Sequence, residues 1–318
     1  MTERLSEAMR RSLYGPDGFF VRHRPADHFR TSVTASPLFA QAIAGLVAET
    51  DRALKHPDTL TVVDVGAGRG ELLTRLLAVL HPNDRIEAIA VELAPRPDGL
   101  DPRIAWRREP PERFHGVLLA MEWLDNVPLD RAELGDDEIL RYPETGEPLD
   151  DADRAWVEQW WPLHNPGDIA EIGRSRDDAW RDAVGRLERG LALAVDYGHT
   201  RADRRTTLTG YRNGRQVPPR FDGSTDITAH VAVDSLAATG LVGVPVKQGW
   251  ALKALGIDGA RPPVDLATVD PGRYVRELAR ASQAADLTDP AGLGDHWWLL
   301  RTVAIEWAPW RLSRNSTR

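Results

Sequence analysis

The chain has 318 residues, carries a formal net charge of −8 and contains no cysteine. The acidic balance argues against a general nucleic-acid-binding protein, and the lack of cysteine excludes disulfides, thiolate metal sites and cysteine nucleophiles. No apolar run approaches the roughly 18 residues that span a bilayer, and residues 1–14 mix acids with arginines instead of forming an apolar leader. We therefore expect a cytoplasmic protein that binds neither nucleic acid nor a membrane and carries no metal.

The first 50 residues predict helices at both ends with a loop between them. Ser36 and Pro37 have the pattern of an N-cap residue followed by proline at the first helical position. The residues after them predict a helix that continues to Glu49. Because this segment precedes the alternation of strands and helices, we expect it to form a cap on the core.

Residues 60–71, with the sequence LTVVDVGAGRGE, are the most informative segment of the chain. An apolar, β-branched run ends in Asp64, and glycines follow at Gly66, Gly68 and Gly70. This pattern predicts a buried strand, a tight turn and a helix start, which is the arrangement of a nucleotide-type cofactor site in an α/β sheet. Glycine suits such a turn because a Cβ would hinder positive φ angles and the close approach of a ligand.

The spacing within this segment narrows the choice of cofactor. A dinucleotide fingerprint would need glycine where Glu71 stands, and the Gly-Lys-Ser/Thr ending of a P-loop is absent. Glu71 would also bring a negative charge to the helix N-terminus, where a pyrophosphate would lie. Glu71 and Asp64 together disfavour a nicotinamide oxidoreductase, and a ligand with a positive centre suits the turn better. A glycine turn without any ligand is the alternative.

The pattern Asp-x-Gly-x-Gly-x-Gly resembles motif I of the S-adenosylmethionine-dependent methyltransferases. A second predicted strand, at 86–92, ends in Glu92. In folds of that kind, the acid that closes the second strand accepts hydrogen bonds from both ribose hydroxyls. The resemblance thus implies a ribose-binding role for Glu92.

The rest of the chain alternates strands and helices, with one interruption. Strands are predicted at 60–65, 86–92, 103–107, 116–121 and 191–196, which indicates a largely parallel sheet with crossover helices. Between 129 and 173 the alternation breaks, and a short helix at 150–161 carries Trp156, Trp160 and Trp161 on one face. We expect these rings to pack the insertion onto the core rather than to form a substrate-stacking wall. A helix at 175–189 then leads back to the sheet.

Further segments resemble one family, the MidA-type methyltransferases, which includes a mitochondrial complex I assembly factor. The matching segments, in the family's order, are YGPDGFF at 14–20, FRTSVTASPLF at 29–39, EWLDNVP at 122–128, AVDYGH at 194–199, TLTGYR at 207–212, DITAHV at 226–231, QG at 248–249 and LGI at 255–257. The resemblance covers roughly residues 14–260 through several independent motifs.

This resemblance implies an α/β class I methyltransferase fold: a Rossmann-like core with a mostly parallel seven-stranded sheet, a helical N-terminal cap and an insertion after the fourth strand. The implied division is a cap with a cofactor-covering loop at 1–54, a core at 55–128 and 174–260, an insertion lobe at 129–173, and a C-terminal helix and strand at 261–318 that complete the core. It also implies S-adenosyl-L-methionine as the cofactor and an arginine of a protein partner as the methyl acceptor.

The family's cofactor-binding residues carry over to matching positions. Asp64, Gly66, Gly68 and Gly70 would form the turn beside the methionine part of the cofactor, and Glu92 would take the ribose. Thr31 and Ser32 would lie on a loop that folds over the bound cofactor. As an alternative, the threonine and serine serve simply as turn residues.

Glu122 and Asp125 come just after the fourth predicted strand, at the carboxyl edge where open α/β sheets bind ligands. Because they are three residues apart, one helical turn would bring both to the same face. A carboxylate pair can hold a guanidinium through paired hydrogen bonds and orient one of its nitrogens. We therefore predict that they are the catalytic pair that binds the acceptor; an acid pair that caps a loop or faces solvent is the alternative.

Met121 stands where the resembled family has asparagine, and methionine cannot make the hydrogen bonds of an amide. This departure leaves open methylation of a small molecule, or a cofactor-binding assembly protein without transferase activity. Asp196 and Tyr197 close another strand at the same edge, where they either line the pocket or form a strand-end turn. For His230 we favour a structural hydrogen-bonding role over that of a general base.

Overall fold

The computed structural model describes residues 3–22, 31–80 and 84–307. Its strands are β1 Leu60–Val65, β2 Ile86–Val91, β3 Ile104–Arg107, β4 Phe114–Met121, β5 Asp130–Leu134, β6 Leu140–Arg141, β7 Ile169–Ile172, β8 Leu187–Asp196, β9 Gly198–His199, β10 Thr209–Arg212, β11 Arg215–Val217, β12 Asp226–Thr228, β13 Val231–Ala232, β14 Val246–Lys247 and β15 Trp297–Val303. Its helices are α1 Leu5–Tyr14, α2 Phe19–Arg22, α3 Ser32–Ala35, α4 Pro37–Ala53, α5 Glu71–Val79, α6 Asp151–Trp160, α7 Arg174–Gly185, α8 Val233–Leu236, α9 Gln248–Ala254, α10 Leu266–Val269 and α11 Pro271–Thr288. Over these ranges, the chain forms no helix with the length and apolar character that a membrane crossing requires.

A seven-stranded central sheet has the strand order β14-β15-β8-β4-β1-β2-β3. β1 pairs in parallel with β2 and β4, β2 with β3, and β4 with β8, whereas β15 and β14 run antiparallel to their neighbours. The predicted fold class, an α/β Rossmann-like core with a mostly parallel sheet, is confirmed. The strand order reverses between β1 and β4, which is where open α/β sheets form a crevice for ligands.

All five strands that the sequence predicts occur, with small shifts at their ends. The largest shift is at β8, which begins at Leu187 rather than at 191. Glu188 and Arg189 are exposed and a glycine follows them, so the strand shows an apolar run only in its second half. Burial along β8 is therefore uneven, and the local pattern identified only the buried part.

Three predicted helices occur with shifted ends. α4 begins at the predicted proline, where Ser36 Oγ accepts a hydrogen bond from the Leu38 N–H at 3.1 Å, and it continues to Ala53. In the insertion, α6 follows the N-cap residue Asp150. α7 ends at Gly185, short of the expected 189, because the residues after it already belong to β8.

The core lies in two layers, one on each face of the central sheet. In β1, Leu60 and Val62 pack into the layer formed with α4, α5, α9 and α11. Val63 and Val65 point into the opposite layer, formed with α7 and α8. This alternation has the two-residue period of a strand, and burial on both faces explains why β1 reads as a continuous apolar run.

The insertion after β4 builds a small antiparallel sheet, with the order β6-β5-β7, against which α6 packs. Trp156 and Trp161 are buried there, and Trp160 is partly buried against the same cluster. Trp156 Nε1 donates hydrogen bonds to Asp177 at 3.0 Å and to Ser235 at 2.8 Å. The prediction that these rings pack the insertion onto the core is confirmed.

α1 lies beside the insertion and is joined to it by polar contacts. The N–H and the hydroxyl of Ser6 each donate a hydrogen bond of 2.9 Å to Asp130, and the Arg4 guanidinium pairs with Asp130 at 2.8 Å and with Asp153 at 3.1 Å. Its apolar face packs on residues near the carboxyl edge of the central sheet, including Leu129 and Ile227. The N-terminal helix is thus held over the edge where ligands would bind.

Candidate functional site

A cavity of about 970 Å³ lies at the carboxyl edge of the parallel strands. The ends of β1, β2 and β4 form its floor, and α1, α3 and α7 contribute to its walls. Among the predicted site residues, those that line it are Thr31, Asp64, Gly66, Gly68, Glu92, Glu122 and Asp125. Gly70 and Ser32 lie behind the wall instead. The cavity occupies the switch point of the sheet, as the fold class leads one to expect.

The glycine turn after β1 adopts positive φ angles at all three glycines, as predicted: 71° at Gly66, 58° at Gly68 and 79° at Gly70. The reasons for glycine differ along the turn. A Cβ on Gly66 would lie 2.7 Å from the Trp123 ring, and one on Gly70 would lie 2.9 Å from a Leu100 methyl group. Close approach at these two positions therefore involves the protein's own side chains. At Gly68, which also lines the cavity, a Cβ would meet only Glu71 Oε2, at 3.4 Å.

Glu92 follows β2 and is held by three backbone N–H groups. Those of Leu93 and Ala94 donate to Oε1 at 2.7 and 3.0 Å, and that of Gly68 donates to Oε2 at 3.1 Å. Burial raises the pKa of Glu92, and these three hydrogen bonds oppose the rise. Each carboxylate oxygen can accept two hydrogen bonds, so Oε2 keeps capacity for a hydroxyl donor in the cavity. The arrangement fits a ribose.

Asp64 ends β1 with 3% of its surface exposed. Burial, together with the charges of Glu71 and Glu92, raises the pKa of Asp64 to about 8. A carboxyl group in this state favours a cationic neighbour, since an opposite charge would stabilise its ionised form. Three acids around the glycine turn thus suit a ligand with a positive centre and would repel a pyrophosphate.

Glu122 and Asp125 both line the cavity, but they do not lie on one face of a helix. The prediction that one helical turn brings them to the same face is therefore wrong. Glu122 has a φ of 50°, and its N–H donates to Val195 O at 2.7 Å. A single 3₁₀ turn, Leu124–Asn126, then carries Asp125. The left-handed backbone at Glu122 turns its side chain toward α3, where Oε1 accepts a hydrogen bond from the Ser32 N–H at 3.0 Å.

The electrostatic state of this pair follows from burial. Burial raises the pKa of Glu122 to about 7, and the hydrogen bond from the Ser32 N–H opposes this rise. Burial and the neighbouring Glu122 raise the pKa of Asp125 to about 7. Asp125 Oδ1 is buried without a hydrogen-bond partner. Because an unsatisfied buried acceptor is costly, this oxygen is suited to a donor brought by a ligand.

Arg176 supports the loop that carries this pair, a role that nothing in its sequence context indicates. It is 1% exposed, and burial lowers its pKa. Its guanidinium donates to four backbone carbonyls, those of Asp125 at 2.6 Å, Val127 at 3.2 Å, Ala229 at 2.6 Å and His230 at 3.0 Å. A single side chain thus ties the loop after β4 to the segment after β12.

Asp196 and Asn126 are further supports. Asp196 Oδ2 accepts hydrogen bonds from the Leu124 N–H at 2.8 Å and the Asp125 N–H at 3.3 Å, so it shapes the loop rather than lining the pocket. Asn126 Nδ2 donates to Asp226 Oδ1 at 2.8 Å. Burial raises the pKa of Asp196 and of Asp226 well above the ordinary value. Of the two residues predicted at the end of β8, only Tyr197 lines the cavity.

One histidine lines the cavity, and a second lies near Glu122. His230 lines the cavity, its N–H donates to Thr207 Oγ1 at 2.8 Å, and its ring Nδ1 is buried without a partner. Burial lowers the pKa of His230 to about 4, so the ring is neutral. His296 was not a candidate from the sequence, because it lies far along the chain from the motifs. Its Nε2 comes 3.9 Å from Glu122 Oε1.

α3 presents Thr31 to the cavity, with Ser32 behind it. Thr31 is the N-cap residue of α3, where its Oγ1 accepts a hydrogen bond from the Thr34 N–H at 3.2 Å. Ser32 is 1% exposed and shares a hydrogen bond with the Gln248 side chain. Residues 29 and 30 of the matching motif lie outside the described ranges. Both predicted residues therefore have structural roles, and contact with a cofactor stays a prediction.

A family model described as "Putative S-adenosyl-L-methionine-dependent methyltransferase" matches residues 42–247. A crystal structure of a "likely methyl transferase" from Burkholderia thailandensis, bound to S-adenosyl-homocysteine, has 25% sequence identity and a TM-score of 0.77, with 98% of this chain and 90% of that chain covered. A native structure of an uncharacterized protein from the same organism matches with the same identity and coverage and a TM-score of 0.76. No curated protein matches the chain. The segment matched by the family model contains both the glycine turn and the loop after β4.

Proposed function

The chain belongs to the family of S-adenosyl-L-methionine-dependent methyltransferases whose model it matches, and from that premise we propose that it methylates an arginine side chain of a protein partner. Its cofactor is S-adenosyl-L-methionine. The observation that carries the proposal is the pair of buried carboxyl groups, Glu122 and Asp125, at the wall of the cavity. Asp125 Oδ1 has no partner there, which suits an acceptor rich in N–H donors.

The residues around the glycine turn would hold the cofactor. Glu92 would accept hydrogen bonds from the ribose hydroxyls, because its carboxylate is fixed by backbone N–H groups and keeps a free lone pair. Asp64 and the backbone at Gly68, which both line the cavity, would lie beside the charged methionine part. Gly66 and Gly70 would act indirectly, by letting the turn close against Trp123 and Leu100.

The acceptor chemistry sets what Glu122 and Asp125 must do. Bound S-adenosyl-L-methionine supplies an activated methyl group, so the protein mainly positions the acceptor in line with it. A guanidinium is a poor nucleophile because it stays protonated and its charge is delocalised. Two carboxylates can accept parallel hydrogen bonds from it and orient one nitrogen toward the methyl group. Its positive charge would in turn lower the raised pKa values of both carboxyl groups and ionise them.

Met121 fits this proposal as a wall residue rather than a ligand. It is the last residue of β4, 8% exposed, and it borders the cavity beside Glu122. A thioether provides an apolar, adaptable surface and only a weak acceptor. Met121 would therefore add no strong hydrogen bond, and the two carboxyl groups would accept the hydrogen bonds that the acceptor donates.

The test uses labelled S-adenosyl-L-methionine and an extract from cells that lack this protein. We expect a labelled protein band with the wild type and a loss of at least about 100-fold with Glu122→Gln. Binding of S-adenosyl-homocysteine, measured by calorimetry, should be unchanged in that variant. Amino-acid analysis of the band should show methylarginine.

Glu158→Gln, an exposed glutamate on α6, is the matched control and should label like the wild type. Unchanged labelling with Glu122→Gln would remove that residue from the acceptor site. Label that appears only in small molecules would overturn the assignment of a protein acceptor.

A further inference from the structure

His296 lies immediately before β15, and 1% of its surface is exposed. Its Nδ1 is 2.8 Å from Leu293 O. A carbonyl oxygen only accepts hydrogen bonds, so Nδ1 carries the hydrogen and Nε2 of the neutral ring presents a lone pair. Nε2 is buried without a hydrogen-bond partner. The tautomer and the direction of this lone pair are thus fixed by the fold.

The group in front of this lone pair is Glu122. His296 Nε2 lies 3.9 Å from Glu122 Oε1, the same oxygen that accepts the Ser32 N–H. Both contacts use Oε1, which leaves Oε2 for a ligand. The Tyr197 ring covers the imidazole, with the ring centres 4.0 Å apart. The distance exceeds a hydrogen bond by about 1 Å, a gap of the kind that closes when substrate binds.

We propose that His296 is a positioning residue that accepts, through Glu122, the proton that the acceptor loses during methylation. The proposal rests on the proposed function, because it assigns a partner to the same carboxyl group. It requires only Glu122, which lines the cavity, and His296, which lies outside the lining and comes close to Glu122. It also gives a use to a buried ring nitrogen that is otherwise unsatisfied.

The proton and the charges balance in this scheme. An N–H bond of the guanidinium breaks, and its proton goes to the Glu122 carboxylate. The freed nitrogen forms a bond to the methyl carbon as the carbon–sulfur bond breaks. The electron pair of the broken bond stays on sulfur. Glu122 then passes the proton to His296 Nε2 and is again a carboxylate. Because Nε2 is buried and faces Glu122, the imidazolium then returns the proton to Glu122, which lines the cavity, and from there the proton passes to water. One proton leaves for each methyl group transferred.

Burial and the nearby charges act on the protonation of His296 in opposite directions. Burial lowers the pKa of His296, so the ring is neutral before the transfer and holds an added proton only weakly. The acids that face it, Asp125 and Asp295 besides Glu122, stabilise the imidazolium once it forms, while Lys247 opposes it. The uncharged Tyr197 ring packs on His296, and His230 packs on the same tyrosine, with its pKa lowered to about 4 so that its ring is neutral.

The first test is kinetic, with the full-length protein, labelled cofactor and the extract described above. We expect His296→Gln to lower the methylation rate at saturating cofactor by about 10² at pH 7, in the range of general base catalysis. The defect should shrink as the pH rises, because hydroxide can then take the proton. Affinity for S-adenosyl-homocysteine should stay within twofold of the wild type.

The matched control is His115→Gln. His115 Nε2 lies 3.2 Å from Glu188 Oε2 on the exposed side of the sheet, so it forms a histidine–carboxylate pair away from the cavity. This variant should keep the wild-type rate and pH profile. A His296→Gln enzyme with the wild-type rate and pH profile would overturn the proposal.

The second test does not depend on activity. Nitrogen NMR of protein labelled at histidine should show His296 Nε2 unprotonated at neutral pH and titrating at lower pH. In Glu122→Gln this titration should move to still lower pH, since the ring can no longer take up the proton that it shares with the Glu122 carboxyl group. An unmoved titration would overturn the coupling, and this arm decides the question even where His296→Gln fails to fold.

The two tests separate the two proposals. If Glu122→Gln labels normally, the proposed acceptor site is wrong, whatever His296 does. If Glu122→Gln is inactive while His296→Gln is normal in rate and pH profile, the acceptor site stands and only the role of His296 is overturned.

Discussion

At the scale of single residues, one buried arginine stabilises a group of buried acids. Arg176 faces the region of raised pKa values at the carboxyl edge of the sheet, where the acids are Glu122, Asp125, Asp196 and Asp226. Its charge lowers the pKa of Asp125 and of Asp196 against the larger effect of burial. Its four hydrogen bonds to carbonyl groups also satisfy backbone that no strand or helix pairs.

We predict that Arg176→Met lowers the free energy of unfolding by about 3–5 kcal/mol, the cost of removing one partner from a buried charged network. Methionine can fill a similar volume, so the loss reports the missing charge and hydrogen bonds rather than a cavity. Urea denaturation followed by circular dichroism measures the change.

Arg181→Met on the same helix is the control for that prediction. Arg181 is about half exposed and pairs with Asp178 on the surface, so its loss should cost less than about 1 kcal/mol. Equal effects of the two substitutions would show that Arg176 is no more than an ordinary helix residue.

The sequence indicates some of these residues and not others, for a physical reason. Glu122 and Asp125 could be chosen because residues just after a parallel strand gather at one edge of the sheet. Arg176 lies within a helix of mixed polarity, and His296 precedes the last strand. Their importance comes from burial beside distant segments, which no local pattern encodes.

At the scale of elements, the turn between β1 and α5 is the feature on which the site depends. It joins a strand with every residue buried to a helix whose N-cap is a glycine. Because Trp123 packs on Gly66, the turn also contacts the loop that carries Glu122. One ring thus joins the glycine turn to the loop after β4, the two parts of the cavity that we propose bind the cofactor and the acceptor.

We predict that Gly66→Ala weakens binding of S-adenosyl-homocysteine by at least about tenfold and lowers stability by more than the ~1–3 kcal/mol expected of backbone strain alone. The φ of 71° strains alanine, and its Cβ would lie 2.7 Å from the Trp123 ring. Calorimetric titration and thermal melting measure the two effects.

Gly146→Ala separates strain from the clash. Gly146 has a φ of 77° in the insertion, and nothing lies within 4 Å of the position of its Cβ. This variant should lose a similar amount to strain and bind S-adenosyl-homocysteine normally. Unaltered binding in Gly66→Ala would mean that the turn does not depend on its contact with Trp123.

At the scale of the whole molecule, the buried acids make stability depend on pH. The pKa is about 8 for Asp64 and about 7 for Glu122 and Asp125, whereas free carboxyl groups titrate near 4. Between pH 6.5 and 9 the unfolded chain has already lost these protons, while the folded chain still releases them. Stability present at lower pH is therefore lost as the pH rises through the folded values.

We predict that the free energy of unfolding of the ligand-free protein falls steadily from pH 6.5 to 9, as measured by urea denaturation at several pH values. The buried histidines oppose this trend only at the lower end of the window. Burial lowers the pKa of His199 and of His230 to about 4, so the folded rings are neutral, whereas histidines of the unfolded chain lose their protons near pH ~6.5. Asp64→Asn should flatten the slope, since the variant has no proton to release there.

Asp101→Asn is the control for the pH prediction. Asp101 pairs with Arg103, and hydrogen bonds from that guanidinium lower the pKa of Asp101 to about 2. It is ionised in both states across the window, so its removal should leave the slope unchanged. A wild-type stability that is constant or rises over this range would contradict the raised pKa values of the buried acids.

The sequence by itself determined the features that depend on near neighbours. The apolar period of β1, the glycines after it and the acids at the strand ends follow local rules of backbone geometry and burial. They were enough to predict the α/β sheet and the edge on which the cavity lies, whereas the cofactor followed from the resemblance of the glycine turn to a methyltransferase motif. The two-sided core then follows from joining parallel strands through helices.

Only the tertiary structure decided how the acids are held and charged. The left-handed backbone of Glu122, the orphaned oxygen of Asp125 and the ring nitrogen of His296 are products of contacts between segments far apart in the chain. A pKa depends on burial and on neighbouring charges in space, and neither can be read from the order of residues. The cavity where a methyl group would meet its acceptor is therefore a property of the folded chain.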